Sequence, residues 1–249
     1  MKDIQVAREH LCFAADLPLE QAASVYSRIQ SQVGFVKVGL SLFVEHGPLA
    51  VKRFRDLGAR VFLDLKLHDI PNTVELAAAR AGSLDVSFLT VHASGGKAML
   101  EAAVRGAQRG AREASLTPPR VLAVTALTSL NDEEISALGF GSSAASMAAR
   151  LGKLAVSAGV GGLVCSGREV AALRLQYPLL FLCTPGIRSE GSGAGDQART
   201  ETPGAAIRAG ASLLVVGRQL YEAPHPEAAA EQLLAEVARE KGDRLLFPK

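Results

Sequence analysis

Eight short apolar runs, separated by longer alanine-rich amphipathic stretches, constrain the fold of this chain more than any other feature. The runs are Leu11–Asp16, Phe35–Gly39, Arg60–Lys66, Asp85–Ala93, Val121–Leu127, Gly162–Ser166, Leu179–Thr184 and Leu213–Val216, all of strand length. Helical spacing fills the intervals: Pro18 to about Gln32, Pro48–Leu57 ended by Gly58, Pro71–Ala81 with Gly82 as a C-terminal cap, and Gly96 to Arg112. It continues with Asp132–Leu138, Ser142–Ala158, a short helix after Arg168, and Pro226–Arg239. Eight strand–helix alternations in 249 residues, without a repeat or a low-complexity linker, predict one domain over residues 1–249. Its fold is expected to be a closed (β/α)8 TIM barrel. A doubly wound open sheet is the alternative. It would usually carry a Gly-rich turn after the first strand, and Asp16-Leu17-Pro18 is not one.

Composition narrows the function classes. A net charge of +2 with no block of like charges argues against a nucleic-acid surface, while permitting a local basic pocket for an anion. The three cysteines, Cys12, Cys165 and Cys183, each sit in an apolar run and read as small core residues rather than a disulfide framework. No Cys/His cluster has zinc-ligand spacing, so no metal is expected. Lys2, Asp3, Arg8 and Glu9 precede any apolar run, which gives no sign of a signal peptide, and no segment approaches the length of a membrane span. The expectation is a cytoplasmic protein with no membrane partner.

A barrel of this kind gathers its chemistry at the C-terminal ends of its strands. The polar residues of this chain fall there. Asp16 ends the first run, Lys37 lies in the second, and Asp64 and Lys66 end the third. His92 lies near the end of the fourth, and the fifth leads into Thr128-Ser129. The seventh leads into Pro185-Gly186-Ile187-Arg188 and the eighth into Gly217-Arg218.

The densest stretch is Asp64-Leu65-Lys66-Leu67-His68-Asp69-Ile70-Pro71-Asn72-Thr73. Strand alternation puts Asp64 and Lys66 on one face and Leu63, Leu65 and Leu67 on the other. Lys37, Asp64, Lys66 and Asp69 can then form an array of alternating charge, which is the arrangement that offsets the cost of burying each member. Acids beside Lys66 keep it protonated, which suits a proton donor and disfavours a Schiff-base nucleophile. Arg188 and Arg218 follow the seventh and eighth runs, where barrels often hold a phosphate. Between them the Gly-rich Ser189–Gln197 stretch reads as a lid. Asp16 reads either as a partner for a sugar hydroxyl or as a helix cap, and Thr128 and Ser129 as partners for a polar ring edge or as caps. His92 reads as a rim residue outside the catalytic set, and His68 as a loop residue without an obvious partner.

Taken together these motifs resemble the orotidine 5′-monophosphate decarboxylase family of the bacterial type over almost the whole chain. The resemblance rests on Ala15-Asp16, Val36-Lys37-Val38-Gly39, the Asp64–Thr73 stretch, Leu127-Thr128-Ser129, Pro185-Gly186-Ile187-Arg188, Asp196-Gln197 and Val216-Gly217-Arg218. It implies decarboxylation of orotidine monophosphate to uridine monophosphate, the last step of pyrimidine nucleotide synthesis, with no cofactor. By the same resemblance Lys66 would stabilise and then protonate the carbanion at C6, and Asp64 would lie beside the departing carboxylate. Lys37 would bind the ribose and hold Asp64, Asp16 would take another ribose hydroxyl, and Thr128 would contact the pyrimidine. Arg188, Gly217 and Arg218 would bind the phosphate, and Gln197 would bridge phosphate and base. Asp69 and Thr73 would reach into the neighbouring subunit's site, which implies a homodimer.

Small departures from the family pattern carry their own expectations. Phe13-Ala14-Ala15-Asp16 has a small residue where a larger one often precedes the acid. The lid is unusually rich in Gly and Ser, so its ordering costs more entropy and substrate binding is expected to be weaker. Sugar-phosphate decarboxylases and synthases share the Asp-x-Lys-x-x-Asp signature and the phosphate site, and typically use magnesium. Ile70-Pro71-Asn72-Thr73 and Gln197 favour the nucleotide enzyme. A nucleotide-binding protein without catalysis would need Arg188 and Arg218 but has no use for Lys66 between two acids.

Overall fold

The computed structural model describes residues 2–139, 143–189 and 201–240. Eight parallel strands close into a barrel in chain order: β1 (Leu11–Ala14), β2 (Phe35–Gly39), β3 (Val61–Leu67), β4 (Phe88–His92), β5 (Arg120–Val124), β6 (Gly162–Val164), β7 (Phe181–Pro185) and β8 (Leu213–Val216), with β8 pairing back onto β1. The expected (β/α)8 barrel is the observed fold.

Period-two alternation divides each strand between two cores. Outward residues such as Leu11, Phe13, Val36, Val38, Leu63 and Leu89 pack beneath the helices. Inward residues fill the barrel: Cys12 and Ala14, Phe35, Phe62, Phe88, Leu122, Phe181, Cys183 and Val215. At the N-terminal ends of their strands, Phe88 stacks on Phe181 with centroids 4.9 Å apart and also meets Phe35 at 5.0 Å and Phe62 at 5.6 Å. This aromatic plug closes one end of the barrel. Two residues further along the same inward series come Lys37 after Phe35 and Asp64 after Phe62, so these charges sit one layer above the plug.

Strand β3 departs from regular geometry where the chemistry lies. Its pairing with β4 runs Phe62 with Phe88 and Leu63 with Leu89, then resumes at Leu67 with Val91. Four steps on β3 match two on β4, and Asp64, Leu65 and Lys66 occupy the irregularity. Within it Lys66 takes a φ of +50°, a left-handed conformation that costs a side-chain-bearing residue about 1–2 kcal/mol.

The helices Pro71–Gly82 and Lys97–Glu113 pack unusually closely. A Cβ at Gly110 would stand 1.8 Å from the carbonyl oxygen of Ala79, and one at Gly82 would stand 2.4 Å from that of Ala107. Gly82 is therefore a packing residue inside the helix and not the cap expected from sequence. Ser83 takes the cap position with φ −83°.

Among the described residues, four α-helices lie outside those expected from sequence: Lys2–Arg8, Leu40–His46, Pro203–Ala209 and the single turn Arg218–Tyr221. Leu40–His46 follows β2 without a gap, so its apolar residues continue the strand's run and give no separate period. Among the described residues, no helix is long and apolar enough to cross a membrane.

Candidate active site

At the C-terminal rim a cavity of about 530 Å³ is bounded by Asp16, Lys37, Asp64, Lys66, Thr128, Arg188, Gly217 and Arg218. Eight of the residues singled out from sequence thus converge on one space. Gln197 lies outside the described residues, as does all of the expected lid after Ser189.

The cavity floor is an ionic array. Lys66 Nζ donates to Asp64 Oδ2 at 2.7 Å, and Lys37 Nζ lies 3.5 Å from the same oxygen and 3.1 Å from Asp16 Oδ1. Gly39 makes room for the last contact, since a Cβ there would stand 2.8 Å from Lys37 Nζ. Asp64 is only 7% exposed. Burial alone would raise its carboxyl, but Lys37, Lys66 and hydrogen bonds from Lys66 and Thr90 outweigh that and hold it below the usual range. For Lys37, burial disfavours the ammonium, and Asp64 and Asp16 reverse the effect, so its charge is held above the ordinary range.

The array lacks one expected member. Asp69 is exposed, lies outside the cavity, and accepts a hydrogen bond from the Ile70 amide at 2.6 Å. Thr73, two positions into the helix that Pro71 opens, is exposed as well. The alternation that brings Asp64 and Lys66 together does not extend to Asp69, because β3 ends at Leu67 and Pro71 turns the chain into a helix.

Opposite the array, the segment after β7 carries Arg188, and Arg218 opens the turn after β8. The Arg188 backbone is tied down, its amide donating to the Glu201 carbonyl at 3.1 Å. The next residue, Ser189, donates its amide to Gln219 Oε1 at 2.9 Å and its hydroxyl to Glu236 Oε1 at 2.7 Å. Gln219 Nε2 in turn donates to Ser189 Oγ at 2.8 Å. Gln219 and Tyr221 also border the cavity. Burial and then Asp16 push the Tyr221 phenol up.

Sequence reasoning missed Thr90, Gln219 and Tyr221, and gave Ser189 only as the first residue of the lid. Thr90 left no signal, because a β-branched residue inside an apolar strand is ordinary. It is fully buried, donates to Asp64 Oδ1 at 2.8 Å and accepts from the Lys66 amide at 2.9 Å. His68 does have a partner: its ring faces that of His92 with centroids 5.3 Å apart. Burial, then His68 and Lys66, lower the pKa of His92. The three cysteines are free and buried, as read from sequence, and burial pushes their thiols up. No group of three or more His, Cys, Asp or Glu side chains among the described residues is placed to hold a metal ion.

A closed parallel barrel whose rim joins a lysine–aspartate array, built on the buried Asp64, to two arginines after β7 and β8 defines a class, the (β/α)8-barrel enzymes with charge gathered at the C-terminal face. Within that class the chain belongs to the orotidine 5′-phosphate decarboxylase / HUMPS family, whose family model matches residues 9–233. It is 50% identical to the orotidine 5′-phosphate decarboxylase of Anaeromyxobacter sp. (strain K) over 91% of this chain and 97% of that protein. It is 43% identical to the one from Moorella thermoacetica over 93% of each. The crystal structure of the Lactobacillus acidophilus orotidine 5′-phosphate decarboxylase superposes with a TM-score of 0.80 at 35% identity, covering 92% of this chain and 99% of that one.

Proposed function

We propose that this chain, acting as one catalytic domain over residues 1–249, decarboxylates orotidine 5′-monophosphate to uridine 5′-monophosphate and CO2, the closing step of pyrimidine nucleotide synthesis, without a cofactor. The observation that carries the reading is the continuity of one cavity from the Lys37–Asp64–Lys66 array to Arg188 and Arg218. A nucleotide with its phosphate at the arginines would lay its base toward the ammonium of Lys66. The identity to decarboxylases over most of the chain supports the same substrate.

In this reading the bond from C6 to the carboxylate breaks, CO2 leaves and the electron pair stays on C6. The Lys66 ammonium stabilises that pair and then donates a proton to C6, and the amine regains a proton from water. Asp64 stands beside the departing carboxylate and orients Lys66 through the hydrogen bond that it accepts from Nζ. Lys37 and Asp16 hold ribose hydroxyls, and Thr128 contacts the pyrimidine. Gly217 and the two arginines take the phosphate, and Gln197 bridges phosphate and base. An ammonium about 3 Å from the developing charge, at an effective dielectric near 20, contributes roughly 5 kcal/mol. Enzymes supply about 8–23 kcal/mol in all. The remainder comes from phosphate binding energy spent on excluding water from the reacting carboxylate.

The active form in this reading is a homodimer in which Asp69 and Thr73 complete the neighbouring site. Their exposure outside their own cavity supports it, as does Ile70 between them at 66% exposed. Three buried, unpaired thiols suit a reducing compartment, and the cytoplasm is the assignment.

The test is loss of orotidine monophosphate absorbance in EDTA by wild type and Lys66→Ala. Turnover by the wild type, cut at least about 10³-fold in the variant with uridine monophosphate binding retained, is expected. A folded wild type that leaves the substrate intact would overturn the reading.

A further inference from the structure

We propose that Thr90 is a positioning residue for the decarboxylation: its hydroxyl fixes Asp64 and the Lys66 backbone together, so that acid and ammonium meet the substrate in one set geometry. The inference rests on the decarboxylase reading above and adds a residue that touches no substrate.

Thr90 lies in the middle of β4, is 0% exposed and does not border the cavity. Its hydroxyl has one proton and two acceptor lone pairs. The Lys66 amide can only donate, so it uses a lone pair of Thr90 Oγ1, 2.9 Å away. The Asp64 carboxylate can only accept, so the hydroxyl proton points to Oδ1, 2.8 Å away. The direction of the chain is therefore set without ambiguity: amide to hydroxyl to carboxylate.

Both ends of that chain need holding. Lys66 sits in the β3 irregularity at φ +50°, where its amide has left the regular ladder and an unfavourable backbone conformation must be maintained by its surroundings. The Thr90 oxygen takes the place of the missing ladder partner. Asp64 uses Oδ2 for Lys66 and Lys37, and Oδ1 for Thr90. A substrate carboxylate arriving beside Asp64 repels it, and Lys66 must give up part of its contact with Oδ2 to stabilise charge at C6. Thr90 and Lys37 are then what keep Asp64 from rotating away. The demand on Thr90 is greatest as charge develops at C6, so its loss should appear in kcat and not in KM.

Thr90→Val keeps the shape of the side chain and removes only the hydroxyl. Its kcat is expected to fall about 10- to 100-fold, with KM and the affinity for uridine monophosphate within about twofold of wild type. Thr90→Ser, which restores the hydroxyl, is expected to recover most of kcat. Should the valine variant not fold, Thr90→Ala against Thr90→Ser isolates the same hydroxyl, and equal kcat in both overturns the proposal. Undiminished kcat in Thr90→Val with an active wild type overturns the role of Thr90 alone. An inactive wild type overturns the decarboxylase reading and this inference with it.

Discussion

Lys66 Nζ lies 2.7 Å from Asp64 Oδ2, although the two residues are joined by an irregular piece of strand in which Lys66 has a left-handed backbone. Simple alternation already places them on one face. The irregularity changes how they meet, because it shifts the pairing register and re-aims the lysine over the acid. The Lys66 ammonium is thereby held against a carboxylate while its side chain remains 30% exposed at the cavity.

Replacing Lys66 by arginine preserves the charge and the ion pair but not the chemistry. A guanidinium does not release its proton in a protein. Lys66→Arg is therefore expected to lose at least about 10²-fold in kcat, as for removal of a general acid. Steady-state assays beside titration with uridine monophosphate would check this, and turnover near the wild-type rate would show that Lys66 is not the proton source.

Stability should depend on pH at both extremes because of the same array. Asp64 is held below its ordinary value of 3.8, so its contribution is present above that value and lost as pH falls through the lower, folded-state pKa. Lys37 is held above its ordinary value of 10.5, so its contribution is present below 10.5 and lost as pH rises through the higher, folded-state pKa. Asp64→Asn removes the acid-side part and leaves two cations short of an anion. The variant is expected to be less stable at pH 7 by about 1–3 kcal/mol. Its urea midpoint is expected to change less on acidification below about pH 4 than that of the wild type.

The close contact between the helices Pro71–Gly82 and Lys97–Glu113 gives a prediction about packing alone. Gly110→Ala drives a methyl into the Ala79 carbonyl and is expected to destabilise by about 1–3 kcal/mol or more. Gly152→Ala is the control: its methyl would stand 3.2 Å from Leu163 Cδ1, the end of a side chain that can shift, and alanine favours the helix by about 1 kcal/mol. Thermal melts of the two variants should move in opposite directions, or the control should stay level.

Subunit complementation tests the shared site. Asp69→Ala and Lys66→Ala homodimers are each expected to be nearly inactive. Unfolding and refolding them together in equal amounts should restore up to about one quarter of wild-type activity, because half the dimers are mixed and one site in each has both wild-type residues. Activity that stays at the level of the separate variants would place Asp69 outside the neighbouring site.

The barrel was legible from sequence because its signal is local. Each strand announces itself by an apolar run and each helix by its period, and eight alternations leave few topologies. The rim charges were legible for the same reason, since strand ends are where such a barrel exposes polar groups: Asp16, Lys37, Asp64, Lys66, Thr128, Arg188 and Arg218 all reached one cavity. Three things were decided only by tertiary structure. The register shift between β3 and β4 depends on two strands at once, so no pattern within Asp64–Lys66 reveals it. Gly82 looks like a cap in its own helix and becomes a packing residue only because Ala107 of another helix lies against it. Thr90 is an ordinary strand residue until the fold brings Asp64 and Lys66 within reach of its hydroxyl. Sequence specifies which groups are available and which face of an element they occupy. The distances between groups far apart in the chain, and so the hydrogen bonds that set their charge and orientation, exist only once the barrel has closed.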